Sequence, residues 1–193
     1  MFGKKPAAPP PAQPKPQSPP APQPPRPSGW LVQALTADYF ASGYIPPVPD
    51  MPLVGYLNNP AQPTIVLANA QLQALGPQAV VVSATPAEIT IPKASLIAFI
   101  PRDEAGMRSA AMQMPNRAER AIIYAGPFLL RAAFMLTGEM PLRNFFGAGG
   151  GSLSLVVVTE AEVACQTPGA KFTPLKAPIL VLNKTQVQLY HLA

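Results

Sequence analysis

The second half of this chain rewrites its first, and that repetition limits the folds open to it. The phrase DMPLVGYLN (50–58) returns as EMPLRNFFG (139–147), an offset of 89 positions. At the same offset Tyr39 meets Phe128, Ile45 meets Phe134, and Tyr56-Leu57 meets Phe145-Phe146. Two extra residues near a glycine run move the offset to 91, so that NAQLQA (69–74) meets EAEVAC (160–165) and ITIPKASLIAF (89–99) meets LVLNKTQVQLY (180–190), with Lys93 opposite Lys184. Identities are few, whereas the apolar positions and the order of elements hold across both halves. Such a chain needs to specify one small fold and the way its two copies meet.

The elements are mostly strands. The folded part opens at Trp30-Leu31-Val32, and strand signals follow at Tyr39–Ile45, Thr64–Leu75, Ala79–Ser83 and Glu88–Ile100. In the second half they lie at Ala121–Leu136, Leu153–Cys165, Phe172–Asn183 and Gln186–Leu192. TIVLANAQLQAL alternates with period two, as a half-buried strand does. Pro92 removes a ladder donor and marks an edge strand or a bend. Met-Pro-Leu reads as a helical turn in each half, with Asp50 or Glu139 as cap and proline in the first turn. Leu53, Tyr56 and Leu57, and likewise Leu142, Phe145 and Phe146, then fall on one side at i, i+3 and i+4 to plug a curved sheet. Between the halves, PRDEAGMRSAAMQMPNRAER (101–120) predicts one short helix at about Glu104–Met114, ended by Pro115.

The expected fold is therefore mainly β, a tandem duplication of a small curved sheet or partly open barrel. Each copy has four to five strands plus one helical turn. The boundaries are 1–28 for a disordered tail, 29–101 for repeat 1, 102–120 for a connector and 121–193 for repeat 2. The copies pack on each other or pair strands, and one continuous β-sandwich is the alternative architecture.

The tail assignment comes from composition. Twelve of the 28 prolines fall between Pro6 and Pro27, with Phe2 the one large apolar side chain after Met1. Such a segment buries too little to offset its ordering entropy and takes polyproline II character. At about 3.1 Å per residue it reaches at most about 90 Å, as a tether or spacer. Ser18 follows Lys15 by three positions and Ala21 precedes Arg26 by five, so neither orientation of a basic-flanked PxxP ligand is met.

Charge narrows the partners. The net charge is +5, yet Lys4, Lys5, Lys15 and Arg26 all precede the first acid, Asp38, leaving 10 basic against 9 acidic residues in the body. A nearly neutral, sparsely charged body argues against an extended nucleic-acid face and for a surface partly covered by another protein or another copy.

No residue pattern assigns a reaction. His191 is the only histidine and Cys165 the only cysteine, so neither a metal set nor a nucleophile–base pair can be assembled from them. The glycine run at 147–152 precedes a strand and lacks a following lysine, which favours a turn over a phosphate loop. Glu160 and Glu162 alternate along one strand face, the usual way to write an exposed face. No basic start leads into an apolar leader, and the most apolar run, AIIYAGPFLLRAAFML (121–136), is too short to cross a bilayer and is interrupted by Pro127 and Arg131. A cytoplasmic protein is expected.

LRNFF, the glycine loop, VVVTEAEVAC and APILVLNKTQVQL, covering roughly 121–192, resemble a bacterial family of small uncharacterised β-rich domains. Those domains run strand, Leu-rich turn, strand ending in an acidic-Ala-hydrophobic segment, and closing hairpin. The first half looks like a diverged copy. The resemblance implies fold and no activity, and this chain departs from it where such domains often carry an Asp-Phe-Leu-Asn type turn, having Asn144-Phe145-Phe146-Gly147 instead.

The functional expectation is a non-enzymatic structural or protein-interaction module, spaced by its tail, with no catalytic residue, cofactor, metal or small-molecule substrate. Its partner is a protein or a second copy. Arg131 and Phe134, on a strand apolar on both faces, and Arg143 and Asn144, on the outer side of the second helical turn, mark the candidate surface. The alternative is an RNA-binding small-barrel protein using its basic tail.

Overall fold

The computed structural model describes residues 28–193 other than 47, 49, 50, 82, 112–116, 137, 140 and 148–153. The tail, the acid Asp50 and most of the glycine run therefore lie outside the described residues. Repeat 1 contains β1 (Trp30–Thr36), β2 (Tyr39–Ile45), α1 (Leu53–Asn58), β3 (Thr64–Ala74), β4 (Glu88–Pro92), a 3₁₀ turn (Lys93–Ser95) and β5 (Leu96–Pro101). After the connecting helix α2 (Glu104–Ala111), the order recurs as β6 (Arg117–Ala125), β7 (Phe128–Leu136), α3 (Leu142–Phe146), β8 (Leu155–Cys165), β9 (Leu175–Asn183), a 3₁₀ turn (Lys184–Gln186) and β10 (Val187–Leu192). At an offset of 91, β3 maps onto β8, the first 3₁₀ turn onto the second and β5 onto β10 with matching ends.

Each copy is a meander whose fifth strand returns to pair with its first, and the two meanders join into one open, antiparallel sheet ordered β10-β6-β7-β8-β9-β5-β1-β2-β3-β4. The duplication reaches into backbone detail. Among the described residues the two non-glycine positions with positive φ are Asn69 (48°) and Glu160 (51°), which are equivalent. The ladder slips at both: Ser42 faces Gln71 and Tyr44 faces Ala68 in repeat 1, and Arg131 faces Glu162 and Ala133 faces Thr159 in repeat 2. A β-bulge re-aims a strand and deepens its twist, so its presence in both copies curves both sheets alike.

The helical turns do plug the sheets. Leu53, Tyr56 and Leu57 are buried in one core, while Leu142 is buried and Phe145 and Phe146 pack against the other. Capping differs from the sequence expectation. Pro52 and Pro141 occupy the caps with no side-chain cap bond. The Leu53 amide instead donates to Ser109 Oγ of α2 (2.7 Å), and the Leu142 amide to Glu119 Oε2 of β6 (3.2 Å). Lys93 completes the first plug: its Nζ donates to the carbonyls of Tyr56 (2.8 Å) and Asn59 (3.1 Å) and sits 5.4 Å from the Tyr56 ring centre. Its counterpart Lys184 lies 5.6 Å from the ring of Phe145, the counterpart of Tyr56. The two cations thus occupy one structural place.

Four strand expectations shift. Trp30–Thr36 is a full strand, paired with both β2 and β5. Ala121–Leu136 is a hairpin beginning at Arg117, because Gly126, at φ 52°, and Pro127 turn the chain between Ala125 and Phe128. Ala79–Ser83 holds no strand among its described residues, and Val80 stands exposed; past the bulge, the Leu72 amide donates instead to the Ala84 carbonyl. Glu88–Ile100 divides at Pro92, which both ends an edge strand and starts a bend. Asp103 caps α2 through the Gly106 amide (2.6 Å) and also accepts from the Leu31 amide (2.6 Å), tying the connector to β1.

Burial raises the Tyr56 hydroxyl above its ordinary pKa of 10.0 against a smaller lowering by a backbone hydrogen bond at Val66. Because the folded value exceeds the unfolded one, this contribution to stability is whole below pH 10.0 and is lost as pH climbs through the raised value. Ultraviolet titration of the five tyrosines should show a late-ionising phase that Tyr56→Phe removes.

Candidate functional site: one closed seam and one open seam

Two copies of a sheet with two free edges offer two seams. One is closed. β5 pairs with β9 through Ala98 opposite Leu182 and Phe99 opposite Val181. Asn183 locks it: its Nδ2 donates to the carbonyls of Leu96 (2.8 Å) and Lys93 (3.3 Å), and its Oδ1 accepts from Thr185 N (3.1 Å) and Thr185 Oγ1 (2.7 Å). Among the described residues Asn183 is the one buried polar side chain, and each of its polar atoms is satisfied, as burial requires. Asn58 forms a second clamp, donating to the Leu155 carbonyl (2.7 Å) and accepting from the Leu155 amide (3.0 Å). Gln186 adds a bond to the Ala94 carbonyl (2.7 Å).

The mirror-related seam would pair β4 with β10, placing Ile91 opposite Leu189 and Thr90 opposite Tyr190. These strands are instead the two ends of the sheet. The positions equivalent to the clamps differ between the seams. Asn183 corresponds to Pro92, which has no donor, and Asn58 corresponds to Gly147, which has no side chain. The open seam holds a cavity of about 720 Å³, bordered by Ile89 to Pro92 of β4, by Gln186 and Gln188 on the other copy, and by Tyr39, Leu72 and Ile97 beneath.

The strands flanking the two seams show the consequence. All six residues of β5 are buried. In its counterpart β10, Leu189 is 60% and Leu192 64% exposed. The C-terminal strand therefore presents an apolar edge with one side unpaired.

The residues singled out from sequence are not gathered at this seam. Arg131 is exposed on β7, its charge acting on Glu162. Phe134 is fully buried, stacked edge-on against Phe145 and Phe146 at 5.7 and 5.2 Å. It belongs to the core and offers nothing to a partner, because α3 folds back over the strand face that the sequence left uncovered. Arg143 and Asn144 are exposed on α3. The free β10 edge is not legible in the sequence because alternation in QVQLYHL reads alike for a paired and an unpaired strand; the Asn183-to-Pro92 difference is its one available signal.

Glu160 pairs with Arg120 on β6 (2.6 Å) and Glu162 with Lys176 on β9 (2.5 Å), so the two carboxylates serve different neighbours. Lys176 holds the Glu162 carboxyl below its ordinary value. Cys165 is half-buried against the core, and His191 is exposed beside Tyr124. Among the described residues no three of His, Cys, Asp and Glu cluster to hold a metal ion, and no helix is long and apolar enough to cross a membrane. Comparison with protein-family models, with curated proteins and with solved structures finds no match.

Removing the closed-seam clamp leaves the Leu96 carbonyl buried without its donor. Asn183→Ala should lower stability by about 1–3 kcal/mol, at about 2–4 °C of Tm per kcal/mol for a chain of this size. Pro92→Ala should change it far less, since its seam is already open; thermal denaturation followed by circular dichroism checks both.

Proposed function

We propose that the protein is a non-enzymatic structural or interaction module that works by strand addition at its open seam. The observation that carries this reading is the unpaired β10 edge. Leu189 and Leu192 stand exposed on it, and Thr185 through Ala193 include no lysine, arginine, acid or proline to guard it. An unguarded apolar edge is a template for another strand, whose backbone bonds give affinity while alternate side chains give selectivity. The proline-rich tail then acts as a spacer, and the cytoplasm is the expected setting.

A second reading, nucleic-acid binding, has a smaller feature behind it. A pocket of about 290 Å³ on the β1–β2–β3 face gathers Gln33, Ser42, Tyr44, Asn69, Gln71 and Arg102, a cation and an aromatic ring among amides, which suits a phosphate and a base. Against it, Arg108, Arg117, Arg120 and Lys176 are each paired with a glutamate, leaving no broad basic field. It predicts binding that falls steeply with salt and is lost in Arg102→Ala.

Full-length protein and a Leu189→Lys/Leu192→Lys variant, compared by affinity capture from lysate and by light scattering, test the leading reading. The expected result is protein association, with self or another chain, in the first and its loss in the second. A strictly monomeric chain with no associated protein would overturn it.

A further inference from the structure

Resting on that reading and naming the partner, we infer that β10 pairs antiparallel with β10 of a second copy across a two-fold axis, making one sheet continuous through a homodimer. The inference starts from the closed seam. Within this chain the fold gives β5 a neighbour on each side, β1 and β9, and every β5 side chain is buried, between the two cores that lie on its two faces. β10 is the same strand in the second copy, and it has β6 alone. Leu189 and Leu192 fill the places of Ala98 and Pro101, which are buried where a neighbour is present.

The neighbour cannot be recruited from the same chain. Its mirror-related strand, β4, carries Pro92 where the clamp needs an amide, and a cavity of about 720 Å³ stands in that gap. The β4 edge is also guarded against a strand from outside. Pro92 and the exposed Glu88 lie in it and Pro86 precedes it, and edge prolines and charges are the usual means of refusing an added strand. Of the two free ends of the sheet, only β10 is built to accept one.

A second copy suits that edge better than a charged or proline-containing segment. Val187 through Leu192 contains no lysine, arginine, aspartate or glutamate, so two such strands meet without those charges opposed, and each brings an exposed Leu189 and Leu192 to cover the other's. An antiparallel pairing of one strand with itself is isologous, so the assembly closes at two copies instead of growing into a filament.

Light scattering of the full chain on gel filtration should give twice the 20.3 kDa chain mass. Leu189→Lys/Leu192→Lys should halve that mass while circular dichroism stays unchanged, because both leucines are already exposed in the single chain. Val80→Lys, at a site 74% exposed in a loop, should leave the dimer intact. With Cys165→Ser as background, single cysteines introduced as Gln188→Cys, Leu189→Cys and His191→Cys report the pairing: at least one should cross-link to its own copy on oxidation. Cross-linking to Thr90→Cys in place of self-cross-linking would mean head-to-tail addition onto β4 and would overturn the two-fold. A monomer at the highest soluble concentration, or a dimer that survives the double lysine variant, would also overturn it. If that monomer captured another protein through Leu189 and Leu192, strand addition would stand and only the second copy would fall.

Discussion

The buried amide of Asn183 holds the two halves of this molecule in register. Its Nδ2 bridges two carbonyls of the first copy while its Oδ1 is held by Thr185 of the second. Through that joint β9 lies on β5, and the two cores exchange residues. Leu35, Leu75, Ile97, Ala98 and Ile100 of the first copy enter the core built mainly by the second, and Leu155 and Val181 of the second enter that of the first. A buried polar group is tolerated only when satisfied, and its geometry then selects one arrangement among several of similar apolar burial.

Gene duplication alone would make both seams alike. They differ because two clamp residues have no counterparts: asparagines at 58 and 183 face glycine and proline at 147 and 92. The seam that lacks these side chains is the one left open, so the sheet has two ends. One end is blunted by proline and glutamate, and the other is left apolar. The two ends of the sheet thus differ in backbone hydrogen-bonding capacity and in side-chain polarity.

Much of the architecture was legible in the chain. The 89 and 91 offsets located equivalent helical turns and strands, the paired Lys93 and Lys184, and the equivalence of Asn69 with Glu160, since apolar period and turn residues are local properties. The hairpin within 121–136 was missed because Gly126-Pro127 is a two-residue interruption between runs of the same hydrophobicity. Ala79–Ser83 differs for the opposite reason: a run of three valines has a strand's composition, yet its described residues join no ladder. Phe134 was misplaced on a surface because nothing local shows that α3 returns over β7.

The sequence by itself determined that there are two copies of one small β-rich unit, that each carries a short helical plug with a bulky apolar pair, and that Lys93 and Lys184 hold equivalent positions. Tertiary structure decided which strands meet, which aromatic rings are core, and which edge stays free. The physical reason is that periodicity sets which side of a strand is apolar, whereas pairing depends on donors and acceptors perpendicular to it, and those are identical in every residue except proline until the chain is folded and its neighbours are known.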